Sequence, residues 1–498
     1  MNVNPITRLD YPDPDVIRVE DTYYMVSTTM HFMPGCEILQ SFDLVHWEHA
    51  TYVYETLDHT DAQQLKSGQN IYGQGMWAAS LRYHEGRFCI CFVANDTRKT
   101  YLYTSEKIDG PWKKQLIEGF YHDGSLLFDE DGRNYIVYGN DEIWITELNE
   151  DLTAPKKGGL HRLLVSDHKN PELGYEGSHI QKINGYYYIF LIHSLRDRWM
   201  RTEACFYSDS LEGEFTGGDV LCDDRGYCGQ GVAQGGIVDT PDGKWYAMLF
   251  QDSGAVGRIP ILVPVTWKDH FPFFGQNGHV PEEIEVHSTR PGYIYQPLVG
   301  SDDFCNGLLP RWQFNHDPDP RYYHLDALQG TYTITTREVC TELTQAVNTL
   351  TQRMSYPSCA AEVTVDASAL KEGDVAGLCA LQSCYAAVGI TKHHGKYEVL
   401  MLDKKEDGIL DMTEGTVVES HQMDFRLEAD FCNMKDEARC YYRVNKGDWL
   451  PIGTVHKLYF KLDHFTGCRF GLFCYAAEET GGSACFRDFK YYDVDEIS

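Results

Sequence analysis

Residues 184–194 read Asn184-Gly185-Tyr186-Tyr187-Tyr188-Ile189-Phe190-Leu191-Ile192-His193-Ser194, a turn pair followed by a run of bulky aromatic and branched residues. Asn-Gly accepts positive φ and suits a tight hairpin, while the run after it suits a strand packed on a pleated surface. The pattern occurs four more times, in Glu20-Asp21-Thr22-Tyr23-Tyr24, Glu85-Gly86-Arg87-Phe88, Asp131-Gly132-Arg133-Asn134-Tyr135 and Asp242-Gly243-Lys244-Trp245-Tyr246. The copies lie about 45 to 65 residues apart, which is room for one four-stranded blade each. Five copies predict a five-bladed β-propeller over residues 1–300. Helical periodicity is nearly absent here, which argues against a barrel of alternating strands and helices.

The repeat stops near Pro297. Beyond it, Thr331–Thr335, Ala360–Val365, Tyr385–Ile390, Lys457–Leu462 and Arg469–Cys474 read as strands at sandwich-like spacing with polar turns between them. They predict a jelly-roll-like β-sandwich over residues 302–498. The fold class is therefore all-β in two domains, in keeping with a 498-residue chain that exceeds the usual size of a single core.

A formal charge of −31, from 43 basic and 74 acidic residues, repels phosphate backbones and anionic membranes and leaves a neutral sugar unaffected. Nucleic acid and membrane are excluded as partners, and a homo-oligomer is compatible with the sequence. The 16 cysteines form no CxxC pair, and Cys89, Cys91, Cys379 and Cys474 sit inside apolar runs, as buried free thiols in a reducing compartment do. With no apolar segment in MNVNPITRLDYPDPDV, a cytoplasmic location is expected.

Three acidic residues stand where a blade's first strand would begin. Asp13 lies in Tyr11-Pro12-Asp13-Pro14-Asp15, where prolines on both sides are expected to fix the backbone and aim the carboxylate. Asp123 lies in Tyr121-His122-Asp123-Gly124-Ser125 and Glu176 in Tyr175-Glu176-Gly177-Ser178-His179. Each tripeptide alone reads as a bend. Their equivalent positions in three repeats matter more, because a ring gathers equivalent positions around its axis.

In chain order, Asn4-Pro5, Pro12-Asp13-Pro14, Ser41-Phe42-Asp43-Leu44-Val45-His46-Trp47, Trp77-Ala78, Asp123-Gly124-Ser125, Glu176-Gly177 and Gly257-Arg258 resemble the motifs of glycoside hydrolase family 43. Leu350-Thr351-Gln352-Arg353 and Gly373-Asp374-Val375-Ala376-Gly377-Leu378 resemble those of the C-terminal sandwich that its β-xylosidases and α-L-arabinofuranosidases carry. The resemblance implies Asp13 as general base, Glu176 as general acid and Asp123 as the carboxylate that orients and tunes Glu176. Inversion requires room for a water, with the base and acid carboxyls on the order of 6.5 to 9.5 Å apart. It further implies that Arg258 binds the terminal sugar and that Trp77 and Phe32 form the apolar wall of its pocket. Trp47 belongs to a blade signature and is expected in the core.

Departures from the family pattern are also legible. Trp77-Ala78-Ala79-Ser80 stands where Trp-Ala-Pro-Asp is usual. Gln234, in Gly231-Val232-Ala233-Gln234-Gly235-Gly236, stands about where a channel histidine is usual, sometimes near calcium. Gln234 is read as a substrate-binding residue, no metal site is expected, and no cofactor is required; a central calcium ion is in doubt. The implied activity is exo-acting release of terminal xylose from β-1,4-linked xylo-oligosaccharides with inversion, on a xylo- or arabinoxylo-oligosaccharide substrate. The alternative is an α-L-arabinofuranosidase or a bifunctional enzyme, and a remote one is a non-catalytic sugar-binding protein. The retaining five-bladed fructosidases open instead on Asn-Asp-Pro-Asn. A loop of the sandwich is expected to narrow the pocket mouth.

Overall fold

The computed structural model describes residues 2–413 and 415–493. Five four-stranded antiparallel sheets follow one another along the chain, each a simple meander. The first blade comprises Asp15–Val19, Thr22–Ser27, Gly35–Ser41 and Glu48–Tyr54. Met76–His84, Ser125–Phe128, Glu176–Ile183 and Ile237–Asp239 open the other four, and Phe271–Phe274 ends the last. The strands expected after the turn pairs are the second strands of their blades: Tyr186–Ser194 matches the reading of the sequence residue for residue, and Asn134–Asn140 and Trp245–Asp252 follow their turn pairs in the same way. Trp47 is buried, its indole N–H bonded to Leu44 O at 2.9 Å.

The ring closes without a shared strand. Asn2–Val3 pairs with Glu283–Ile284, and the Asn4 amide brackets the last blade, donating to Leu262 O at 2.9 Å and accepting from Leu262 N at 3.1 Å. A backbone mimic of this kind satisfies groups a ladder would otherwise pair.

The second domain is a sandwich of a nine-stranded and a seven-stranded sheet. The nine-stranded sheet ends on a propeller segment: Phe32–Met33 pairs with Gln313–Asn315, with Phe314 opposite Met33. Ala255, Val256 and Ile259 of the propeller join the sandwich core around Trp312, Phe470 and Leu472. The two units therefore share a core. Lys457–Leu462, expected as a strand, is not one: the strand ends at Lys457 and residues 458–468 form a loop. Two of its backbone amides bond to the propeller, Gly467 N–H donating to Asp10 Oδ2 at 2.8 Å and Cys468 N–H to Ala255 O at 2.8 Å. Of the expected sandwich, residues 494–498 lie outside the described residues.

One buried ion pair crosses this junction. Arg353 in the sandwich meets Glu37 in the first blade at 2.8 Å, with side chains 5% and 2% exposed. Arg353 also donates to Asp10 O at 2.8 Å and lies over the Tyr11 ring at 4.0 Å. Burial works against the Glu37 charge, but Arg353 and His49 outweigh it and hold the carboxyl down to about 2. Because the folded value lies below the ordinary one, the stabilisation is present above the usual carboxylate range and is lost as pH falls toward 2. Arg353→Ala strands the Glu37 charge and is expected to lower unfolding free energy by about 3 to 5 kcal/mol at pH 7. In urea titrations at descending pH, the difference between variant and wild type should shrink below about pH 4.5.

Candidate active site

Asp13 lies two residues before the inner strand of the first blade, Asp123 two before that of the third, and Glu176 is the first residue of that of the fourth. Equivalent strand ends therefore face the same end of the axis. The three carboxylates line one cavity with Met30, Trp77, Ala78, His122, Arg201, Gln234, Arg258 and Phe465.

Asp13 is buried, and its φ of 52° places it in the left-handed region. The flanking prolines favour an extended Asp13, so the turn must be held by other contacts. Thr28 Oγ1 donates to Oδ2 at 2.6 Å and Arg258 Nη1 to Oδ1 at 2.8 Å. Asp123 has φ 48°. Non-glycine residues held there carry strain that recurs at functional sites. Gly177 N–H donates to Asp123 Oδ2 at 3.0 Å, and Gly177 itself has φ 64°, with a Cβ there falling 2.7 Å from Gln234 Cδ. Glycine at 177 thus lets Gln234 close against the backbone of the residue after Glu176.

Glu176 accepts from Asn140 Nδ2 at 2.9 Å. His122 Nε2 lies 3.5 Å from Asp123 Oδ2 and 3.6 Å from Glu176 Oε2. Burial lifts the Asp123 carboxyl to about 6, against the pull of His122 and with the push of Glu176 and Asp13. The facing Asp123 charge raises His122 against its burial, with help from Glu176 and Asp13, to about 9. A grouping of His122, Asp123 and Glu176 offers ligand atoms within 4.8 Å of one another, but the protonated imidazole is already the cation of that group and a metal ion would have to displace its proton.

Of the residues expected at the sugar site, Asp13, Asp123, Glu176, Arg258, Trp77 and Gln234 line the cavity and Phe32 does not. Phe32 is 1% exposed and lies under the Arg469 guanidinium at 3.4 Å, packed with Leu343, Ala346 and Tyr385 of the sandwich. Its short strand extends the sandwich sheet, which carries the ring into the domain junction. The aromatic wall comes instead from Phe465, 5.8 Å from the Trp77 ring and 4.3 Å below the Arg258 guanidinium. Phe465 was not singled out in the sequence, where the reading of Lys457–Leu462 as a strand ends three residues before it. His122 and Arg201 were also missed. His122 was visible beside Asp123, whereas Arg201, which pairs with Asp252 at 3.3 Å, carried no local signal.

Deeper in the axis, Asp15 is fully buried and both its oxygens have donors. His179 Nδ1 lies at 3.0 Å from Oδ1, and Arg82 Nη1 and Leu81 N–H lie at 2.8 and 2.7 Å from Oδ2. Burial opposes the charge, yet Arg82 and His179 outweigh it and hold the carboxyl below its ordinary range. A Cβ on Gly236 would meet Asp15 Oδ1 at 2.8 Å, so the axis is tightly packed. Calcium takes about six to eight oxygen ligands, and a guanidinium and an imidazole on the Asp15 carboxylate do not fit that donor set. Gln234 N–H is bound inward by buried Glu203 Oε2 at 2.7 Å.

A family model described as Glycosyl hydrolases family 43 matches residues 3–272, and one described as Beta xylosidase C-terminal Concanavalin A-like domain matches residues 301–492. A Formosa agariphila protein named beta-xylosidase is 26% identical across 99% of this chain and 89% of its own length. A Bacteroides ovatus protein named non-reducing end alpha-L-arabinofuranosidase is 24% identical across 82% of this chain and 79% of its own. Among solved structures, a bifunctional GH43-CE protein of Bacteroides eggerthii superposes with a TM-score of 0.92 and 42% identity over 99% of this chain. This chain spans 64% of that protein.

Asp10 joins the cavity to the sandwich loop, since its Oδ1 accepts Arg258 N–H at 2.7 Å and its Oδ2 accepts Gly467 N–H at 2.8 Å. Asp10→Ala leaves both buried donors without an acceptor. It is expected to cost about 2 to 4 kcal/mol in urea unfolding and to make the 458–468 loop sensitive to limited proteolysis. Wild-type stability with an intact loop would show that the bridge is dispensable.

Proposed function

The chain belongs to glycoside hydrolase family 43, and on that premise we propose that it releases terminal xylose from β-1,4-linked xylo-oligosaccharides with inversion. The observation that carries the reading is the charge pattern of one small cavity. Asp13 faces Arg258 at 2.8 Å and Asp123 faces His122 at 3.5 Å, whereas Glu176 has the neutral Asn140 amide as its hydrogen-bond partner. His122 also stands 3.6 Å from Glu176 Oε2, so a neutral donor and a cation meet the oxygen that would carry charge once a proton is given up, which suits a proton donor.

In the proposed reaction Glu176 gives its proton to the glycosidic oxygen as the bond from C1 to that oxygen breaks. A water attacks C1 from the opposite face and loses a proton to Asp13, which Thr28 and Arg258 orient. The Arg258 guanidinium, buried between Phe250 at 5.2 Å and Phe465 at 4.3 Å, has its Nε and Nη2 donors free for sugar hydroxyls. Phe465 and Trp77 are apolar surfaces for the C–H face of one ring, and this closed end supports exo action. Relatives carry both β-xylosidase and α-L-arabinofuranosidase names, so the two aryl glycosides are compared first. The sixteen unpaired cysteines support a reducing, cytoplasmic setting.

Asp13→Asn and Glu176→Gln are each expected to lower kcat on xylobiose by about 10²- to 10⁴-fold; turnover near wild type in either removes that role. Proton NMR of the first product from a β-xyloside should show the α anomer, and the β anomer appearing first would exclude inversion. Because carboxylates and water suffice for this chemistry, EDTA is expected to leave activity in place. Full loss with recovery on adding calcium would overturn that.

A further inference from the structure

His122 is the one cavity group whose charge lies between two of the carboxylates. Its ring nitrogen is buried and makes no hydrogen bond, yet it stands 3.5 Å from Asp123 Oδ2 and 3.6 Å from Glu176 Oε2. The same Glu176 oxygen accepts the Asn140 amide at 2.9 Å. The position is fixed from both sides. Trp77 meets the imidazole edge to face at 5.8 Å, and His122 O accepts Gly139 N–H at 3.0 Å, one residue from Asn140. The third blade thus presents a donor and a cation to one oxygen of the neighbouring blade's carboxyl.

We propose that His122 is a positioning residue for proton donation: its imidazolium is the fixed positive charge against which Glu176 becomes an anion as its proton passes to the leaving oxygen. The inference rests on Glu176 being the general acid. When the bond to C1 breaks, the leaving sugar takes the proton as a hydroxyl, Glu176 Oε2 gains a full negative charge, and the water's proton goes to Asp13. A preorganised cation beside the atom where charge appears stabilises that step without reorganising. Asp123 supplies the counter-charge that keeps His122 protonated against its burial, Glu176 and Asp13 add to it, and the resulting value of about 9 holds the imidazolium through neutral pH. Arg258 is engaged by Asp13 and Arg201 by Asp252, so the other cavity cations are committed elsewhere. Asp123 then tunes the acid indirectly, by holding the cation that faces it.

The test compares His122→Asn and His122→Gln with wild type on two xylosides. Xylobiose has a poor leaving group that needs the proton, whereas 2,4-dinitrophenyl β-xyloside expels a stable phenolate that does not. The ratio of kcat/KM on the two substrates is independent of how much of each variant is folded. It is expected to fall by about 10²-fold in both variants, and the alkaline limb on xylobiose to move to higher pH, since ionising Glu176 beside Asp123 without the cation is harder. An unchanged ratio, with both substrates slowed alike or neither slowed, overturns the inference. If wild type cleaves neither xyloside, the proposed function fails instead.

Discussion

The buried pair between Arg258 and Asp13 is the interaction on which the arrangement depends. It spans the ring closure, since Asp13 precedes the first blade's inner strand and Arg258 begins the third strand of the last blade. Two more bonds reinforce the joint: Tyr11 N–H donates to Arg258 O at 3.0 Å, and Arg258 N–H to Asp10 Oδ1 at 2.7 Å. Taking a guanidinium and a carboxylate out of water is unfavourable unless they are paired and well oriented. The closure that completes the propeller therefore also fixes the direction of the proposed base. Because Asp10 also holds Gly467, the sandwich loop is registered against the same joint.

That constraint bears on how charge is distributed. The chain carries a formal −31, yet the cavity interleaves three carboxylates with Arg258, Arg201 and His122. Surface charge is screened within about 10 Å at moderate ionic strength, so the acidic exterior says little about chemistry inside a confined pocket. There the close pairs decide. Arg258 holds Asp13 at 2.8 Å and His122 stands between Asp123 and Glu176 at 3.5 and 3.6 Å, so in the proposed reaction the proton of Glu176 is what changes.

The propeller was legible because its information is local and repeated: Asn134–Asn140, Tyr186–Ser194 and Trp245–Asp252 each follow a turn pair that accepts positive φ. The placement of Asp13, Asp123 and Glu176 was legible for the same reason, as a position repeated in three blades. Features that depend on one segment meeting a distant one were not. Phe32 reads as a pocket aromatic until its two-residue strand is seen pairing with Gln313–Asn315. Lys457–Leu462 reads as a strand because a run rich in apolar and aromatic residues cannot by itself tell a ladder from a loop that ends on a foreign backbone, as Cys468 does on Ala255. His122 stood beside Asp123 in plain view, but its distance to Glu176 belongs to the contact between two blades.

The Phe465 loop shows why the sandwich belongs to the active site. A strand continued past Lys457 would satisfy its own ladder, and the loop instead places its amides on Asp10 and Ala255 of the propeller. The loop is thus anchored on both sides, on Asp10 and Ala255 of the propeller and on Asp436, Met354 and Gln382 of the sandwich, since buried backbone groups need partners. In the other direction, Phe465 covers a guanidinium whose two free donors would otherwise face water. Each side supplies what the other lacks, hydrogen-bond acceptors from the propeller and apolar cover from the sandwich. The closed end of the cavity is thus a property of the junction, and neither domain contains it alone.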